Sequence, residues 1–116
     1  NFMGMTTVCA MSQAFAVAAS AGVDGQLLFD IMSTGPSSSP FMNFCKKYAV
    51  DDVRDLGFPI ANANKDLGYF LEMVEGLGTR SQIGEGTSAN LQAAFDAGMG
   101  SGNVPEILDY FRTLEN

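Results

Sequence analysis

The chain contains no histidine and no tryptophan, and it has only two cysteines, four prolines and six basic side chains in 116 residues. Histidine is the commonest general base and the commonest metal ligand, so its absence excludes any self-contained Ser/His or Cys/His nucleophilic chemistry. Basic residues are too few for a nucleic-acid partner: six of them stand against thirteen acidic ones, a net charge of −7. Phosphate binding needs a lysine and arginine footprint, and Lys46-Lys47 is the only basic doublet. The same negative balance is repelled by anionic membranes. Cys9 and Cys45 have no metal-type spacing. Cys9 lies in an Ala/Met/Val-rich run and Cys45 follows Phe44, which predicts reduced, core-lining thiols of a cytoplasmic protein, with no disulfide and no metal.

Charge is missing altogether from the first 23 residues, NFMGMTTVCAMSQAFAVAASAGV. About 20 apolar residues span a bilayer. This segment, however, is poor in Leu and Ile, carries Asn1, Thr6, Thr7, Ser12, Gln13 and Ser20, and lacks basic flanks. It is therefore read as a helix buried on nearly all sides by protein, neither a signal peptide nor a membrane anchor. The chain starts at Asn1 and not at methionine, and is expected to be a piece of a longer protein.

What is present suits one domain. Its length supports a single core without disulfides or metals, and 47% of its residues are hydrophobic. The pattern is helical throughout. A first helix over about 1–21 stops at Gly22, and Asp24 caps a second that carries Leu27, Leu28, Ile31 and Met32 and closes near Gly35. In the turn-rich GPSSSP (residues 35–40), Ser39 as N-cap and Pro40 at the first helical position announce a third helix. No Gly-Lys-Ser/Thr follows, so the serines serve turns and caps rather than a phosphate loop. VDDVRDLGFP (residues 50–59) reads as a polar connector, and its acidic spacing fits no calcium loop. A fourth helix spans about 60–77, a fifth about 88–99 after the glycine-broken QIGEGTSAN, and a last one passes through Ile107, Leu108 and Phe111. The predicted fold is all-α: five to six helices bundled around the long apolar N-terminal helix.

On a wheel of 100° per residue, the fourth helix buries Ile60, Ala63, Leu67, Phe70, Leu71 and Val74. Lys65 lies nearly opposite. Asn62, Asp66, Tyr69 and Met73 stack into a second row, an unusual composition for a purely solvated face. Periodicity alone leaves Lys65 and Asp66 readable as plain surface charge.

FPIANANKDL (residues 58–67) resembles the Lys-Asp-Leu motif of the β-hydroxyacid dehydrogenases, the family of 3-hydroxyisobutyrate dehydrogenase. The uncharged first helix with its AASAGVD stop (residues 18–24) is similar to that family's interdomain helix. There a Lys-x-x-Asn-Asn signature precedes the helix, and Asn1 matches its second asparagine. GPSSSP resembles the family's Gly/Ser loop, and AAFDAGMGSGNVPEILDYFRTLEN (residues 93–116) its closing Gly-x-Gly loop and final helix. The resemblance implies a fold like the C-terminal domain of 6-phosphogluconate dehydrogenase, with residues 1–116 as a helical substrate and dimerisation domain. It also implies a dinucleotide-binding domain upstream, absent from this sequence.

By the same resemblance the catalytic lysine stands upstream of Asn1, so no catalytic residue is expected in this chain. Lys65 contacts the cofactor, NAD or NADP, while Phe58 and Asp66 line the pocket of a small 3-hydroxy acid substrate. The implied protein is a homo-oligomer that binds neither nucleic acid nor membrane. Two departures stand out: Asn103-Val104-Pro105 occupies a place where the family commonly has an acidic residue, and Arg80-Ser81 replaces a proline-bearing loop. A different reading of the residues is a stand-alone helical interaction or dimerisation module, with the uncharged first helix as its adhesive surface.

Overall fold

The computed structural model describes residues 1–114; Glu115 and Asn116, the end of the tail likened above to the family's final helix, lie outside the described residues. Among the described residues there are six α-helices and no β-strand: α1 (Phe2–Ser20), α2 (Gly25–Ser33), α3 (Pro40–Asp51), α4 (Ile60–Gly76), α5 (Gln82–Ala94) and α6 (Ile107–Arg112). A π-helical turn (Phe95–Met99) extends α5, and a 3-10 turn (Val104–Glu106) leads into α6.

The helix ends follow local chemistry. Asp24 accepts the Leu27 N–H at 3.1 Å, and Ser39 accepts that of Met42 at 3.3 Å with Pro40 opening α3. α1 and α4 end in the same motif. Gly22 (φ +76°) and Gly78 (φ +72°) take the left-handed conformation, and Val23 and Thr79 donate back to Ala18 and Val74. α3 runs two residues, Val50 and Asp51, into the predicted connector. It stops at Asp52, which adopts φ +54° without being glycine.

α1 touches all five other helices and supplies Met5, Val8, Ser12, Phe15 and Ala16 to the core. Ile60 and Leu67 from α4, Leu91 from α5, and Ile107, Leu108 and Phe111 from α6 close around it. Each such side chain contributes about 1.5–3 kcal/mol by leaving water. α1 is also the one described helix long and apolar enough to cross a membrane, with 44% of its apolar window buried. The expectation that it is buried on nearly all sides does not hold within the chain: Met3 is 74% and Val17 54% exposed. Its Ala, Ser and Thr residues give no amphipathic contrast from which the inward side could be read.

α5 also differs from its sequence reading. It begins at Gln82, not near Ser88, because Ser81 accepts the Gly84 N–H at 3.0 Å and caps it. The glycines taken as breaks lie inside the helix. A Cβ on Gly84 would stand 3.0 Å from Phe70 Cε2 and 3.3 Å from Leu71 Cδ2, so this glycine lets α5 approach α4. The two cysteines are free and buried, as the sequence predicts.

Candidate functional site

The motif stretch 58–67 forms the start of α4 and the residues leading into it. Ile60, Ala63 and Leu67 are fully buried, which turns Lys65 outward on the opposite side. The Asn62–Asp66–Tyr69–Met73 row lies on the surface as the wheel predicts: Asp66 is half-buried, Tyr69 58% and Met73 55% exposed.

One contact connects this row to the beginning of the chain. The Asn1 side-chain amide donates to Asp66 Oδ2 at 2.6 Å across 65 residues of sequence. One turn further along α4, Phe70 stacks on Phe2 with ring centroids 4.4 Å apart and planes 4° from parallel. This stack holds the start of α1 against α4 and brings Asn1 to Asp66. Asn1 occupies the N-cap position of α1, yet its side chain makes no capping bond. An asparagine there ordinarily serves its own helix, so this one is turned to the neighbouring helix instead.

Lys65 stands out by charge. Lys46 pairs with Asp51, Lys47 with Asp55, Arg54 with Asp52 and Glu106, Arg80 with Glu85, and Arg112 with Asp109. Among the described residues, Lys65 alone of the six basic side chains has no carboxylate partner. Its sequence neighbours are both engaged: Asp66 with Asn1, and Asn64 with Gln92, whose Oε1 accepts at 2.9 Å and whose Nε2 donates to Asp96. An exposed ammonium with three donors and no local acceptor is suited to an external anion or hydroxyl.

Phe58 precedes α4 by two residues. Its ring is half-buried against the core, and no hydrogen bond, ion pair or ring contact joins it to Lys65 or Asp66 among the described residues. What fixes it is the closing glycine loop. Val104 N donates to the Phe58 carbonyl at 2.8 Å, Pro59 forms an antiparallel bridge with Asn103, and the Ile60 and Ala61 amides donate to the carbonyls of Gly102 and Gly100. The first amides of α4 are therefore spent on the loop.

The two family departures have structural explanations. Asn103 caps the turn after the loop in a reciprocal arrangement with Glu106, whose Oε2 accepts the Asn103 N–H at 2.7 Å. Arg80 makes a two-point contact with Glu85 at 2.8 and 2.9 Å beside the Ser81 cap. That contact lowers the Glu85 carboxyl below its usual range.

Elsewhere, burial pushes the Cys9 thiol up to about 12 and Cys45 up to about 11, so neither is a nucleophile at neutral pH. Burial and the Asp109 carboxylate, which accepts from Tyr48 Oη at 2.5 Å, push Tyr48 up to about 12. No group of three or more Cys, Asp or Glu side chains is gathered to hold a metal among the described residues. Asn1 as a site residue was not singled out from sequence. The available signal was its match to the second asparagine of the Lys-x-x-Asn-Asn signature.

Solved structures place this fold. It matches 3-hydroxyisobutyrate dehydrogenase from Salmonella typhimurium over 94% of this chain and 38% of that one, with a TM-score of 0.84 and 19% identity. Mycobacterium tuberculosis 3-hydroxyisobutyrate dehydrogenase, solved with L-serine, matches over 97% of this chain and 40% of that one, with a TM-score of 0.83 and 22% identity. The fold is thus that of the helical C-terminal domain of a dehydrogenase, and the chain spans about two fifths of the length of these structures. A sequence comparison with curated proteins finds no match. A family model described as NAD-binding of NADP-dependent 3-hydroxyisobutyrate dehydrogenase matches residues 1–111, and the chain belongs to that family.

Proposed function

We propose that this chain is the helical wall of the active-site cleft in an NAD(P)-dependent dehydrogenase acting on a small 3-hydroxy acid or its semialdehyde. The observation that carries the reading is the charge census: the one basic side chain without a carboxylate partner among the described residues is Lys65, beside an Asp66 held by Asn1. The donor set fits a nicotinamide dinucleotide, which is anionic and rich in hydroxyls.

When bound, that cofactor supplies or accepts the hydride. Lys65 donates to its hydroxyl or carboxamide oxygens and needs no tuned pKa to do so. Asp66 accepts a substrate hydroxyl or orients a neighbouring lysine, and the Asn1 amide holds the carboxylate that does this. Phe58 gives the substrate pocket an apolar side. The proton donor and acceptor at the substrate oxygen is a lysine upstream of Asn1, contributed with the dinucleotide-binding domain.

Subunit contact is assigned to the outward side of α1, which is uncharged and exposes Met3 and Val17. That surface also favours a second reading, a stand-alone interaction module. The two are separated by the upstream coding sequence. A strand followed by G-x-G-x-x-G and then Lys-x-x-Asn supports the dehydrogenase, and a stop or an unrelated domain supports the module.

The test is substrate profiling of the full-length protein with 3-hydroxy acids and either cofactor. Turnover by the full-length protein and none by the purified 116-residue chain is the expected result. Detectable NAD(P)H turnover by the 116-residue chain alone would contradict this division of labour.

A further inference from the structure

We propose that Arg54 and Glu106 are positioning residues for the substrate pocket, acting through Phe58; this rests on the reading of Phe58 given above. Residues 52–59 form no regular element apart from the bridge at Pro59, and few bonds hold them to the rest of the chain. At one end Val53 N donates to Lys47 O at 2.9 Å, and Lys47 also pairs with Asp55. At the other, the Phe58 carbonyl accepts from Val104 and Pro59 bridges Asn103.

Glu106 connects the two ends. Its Oε2 takes the Asn103 N–H at 2.7 Å, and its Oε1 takes Arg54 Nε at 3.3 Å. The turn that grips Phe58 is therefore held by the same carboxylate that grips the connector. With its side chain only 19% exposed, Glu106 is partly shielded from water, which strengthens charge-assisted bonds relative to the open surface. Arg54 is constrained on two further sides: Nη1 donates to Asp52 at 3.1 Å, and the guanidinium lies 4.9 Å over the Tyr48 ring. A planar fork that stacks and donates in two directions at once is not replaced by lysine.

The consequence is local. Lys65 and Asp66 lie further along α4, anchored by the buried Ile60, Ala63 and Leu67 and by the Asn64–Gln92 bond. Phe58 precedes the helix, and its one tertiary hydrogen bond is the one to Val104. Loosening Arg54 therefore moves Phe58 and spares Lys65, so it affects the substrate more than the cofactor.

The experiment uses the full-length protein with 3-hydroxyisobutyrate and NAD or NADP as probes, comparing Arg54→Ala, Arg54→Lys, Phe58→Ala and the Arg54→Ala/Phe58→Ala pair. Arg54→Ala is expected to raise KM for the hydroxy acid about 3–10-fold, to leave KM for the cofactor within about 2-fold, and to add little once Phe58 is already alanine. Arg54→Lys is expected to behave like Arg54→Ala. In the full-length protein, amide exchange at Val104 is expected to accelerate in Arg54→Ala. Unchanged exchange at Val104, or a KM effect of the same size with and without the Phe58 ring, overturns the proposal. Wild-type kinetics for Arg54→Ala alongside a raised KM for Phe58→Ala overturns it alone. Wild-type kinetics for Phe58→Ala overturns the underlying assignment of Phe58 as well.

Discussion

Asp24 and Ser39 accept from amides three residues on, and Pro40 sets only its own backbone angle, so their roles are legible in the sequence. Asn1 is different: its partner Asp66 lies 65 residues away, and only the packing of Phe2 on Phe70 brings the two together. Removing either member of that stack, as in Phe70→Ala, is expected to cost about 1–3 kcal/mol, since both rings are half-buried, read as a lower urea midpoint, and to release the Asn1 amide. The cysteines give a second prediction at this scale. Their folded-state values, about 12 for Cys9 and about 11 for Cys45, lie above the ordinary value of 9.0, and that of Tyr48, about 12, lies above its ordinary 10.0. Between the ordinary and the raised values the unfolded chain has lost protons that the folded one keeps, so rising pH favours unfolding. Stability is therefore fully present below pH ~9 and declines above it, and Cys9→Ala is expected to flatten part of that slope in urea melts. A thiol reagent at neutral pH should react with both cysteines only at the rate of chain opening.

Helix existence was legible from periodicity, but helix boundaries depended on packing. The start of α5 was hidden because Gly84 and Gly86 look alike in sequence and differ in their surroundings. Gly84 faces Phe70 and Leu71 closely enough that a Cβ forces them to shift, whereas a Cβ on Gly86 meets nothing within 4 Å. Gly84→Ala is accordingly expected to destabilise by about 1–3 kcal/mol through overpacking. Gly86→Ala is expected to stabilise by about 0.5–1 kcal/mol, because a helix interior favours alanine over glycine. Thermal melts of the two variants that shift in the same direction would contradict this account of α5. The orientation of α1 was illegible for a related reason: an uncharged helix of small residues has no polar side to mark which face is outward. The Asn62–Asp66–Tyr69–Met73 row of α4, by contrast, was fully readable, since strong apolar residues define the opposite face.

At the level of the molecule, an all-α bundle around an apolar first helix could be read from the order of caps, stops and apolar stripes. The candidate site was readable in part. Lys65 and Asp66 were marked by a motif, but the charge pattern that distinguishes them exists only after folding. In the folded chain five of the six basic side chains find carboxylates, and Arg54 reaches Glu106 across 52 residues of sequence. The connector's acidic residues, which resemble a polar loop in sequence, neutralise the Lys46-Lys47 doublet and leave Lys65 as the cation available to a ligand among the described residues. We propose that this lysine meets the cofactor. It is tested most directly by titrating the full-length protein with NADH and with NADPH, following nicotinamide fluorescence, for wild type, Lys65→Ala and Lys47→Ala. Lys65→Ala is expected to weaken the preferred cofactor at least about tenfold, the loss of one charge-assisted hydrogen bond, while Lys47→Ala stays within about twofold of wild type. Equal affinities for wild type and Lys65→Ala would contradict it.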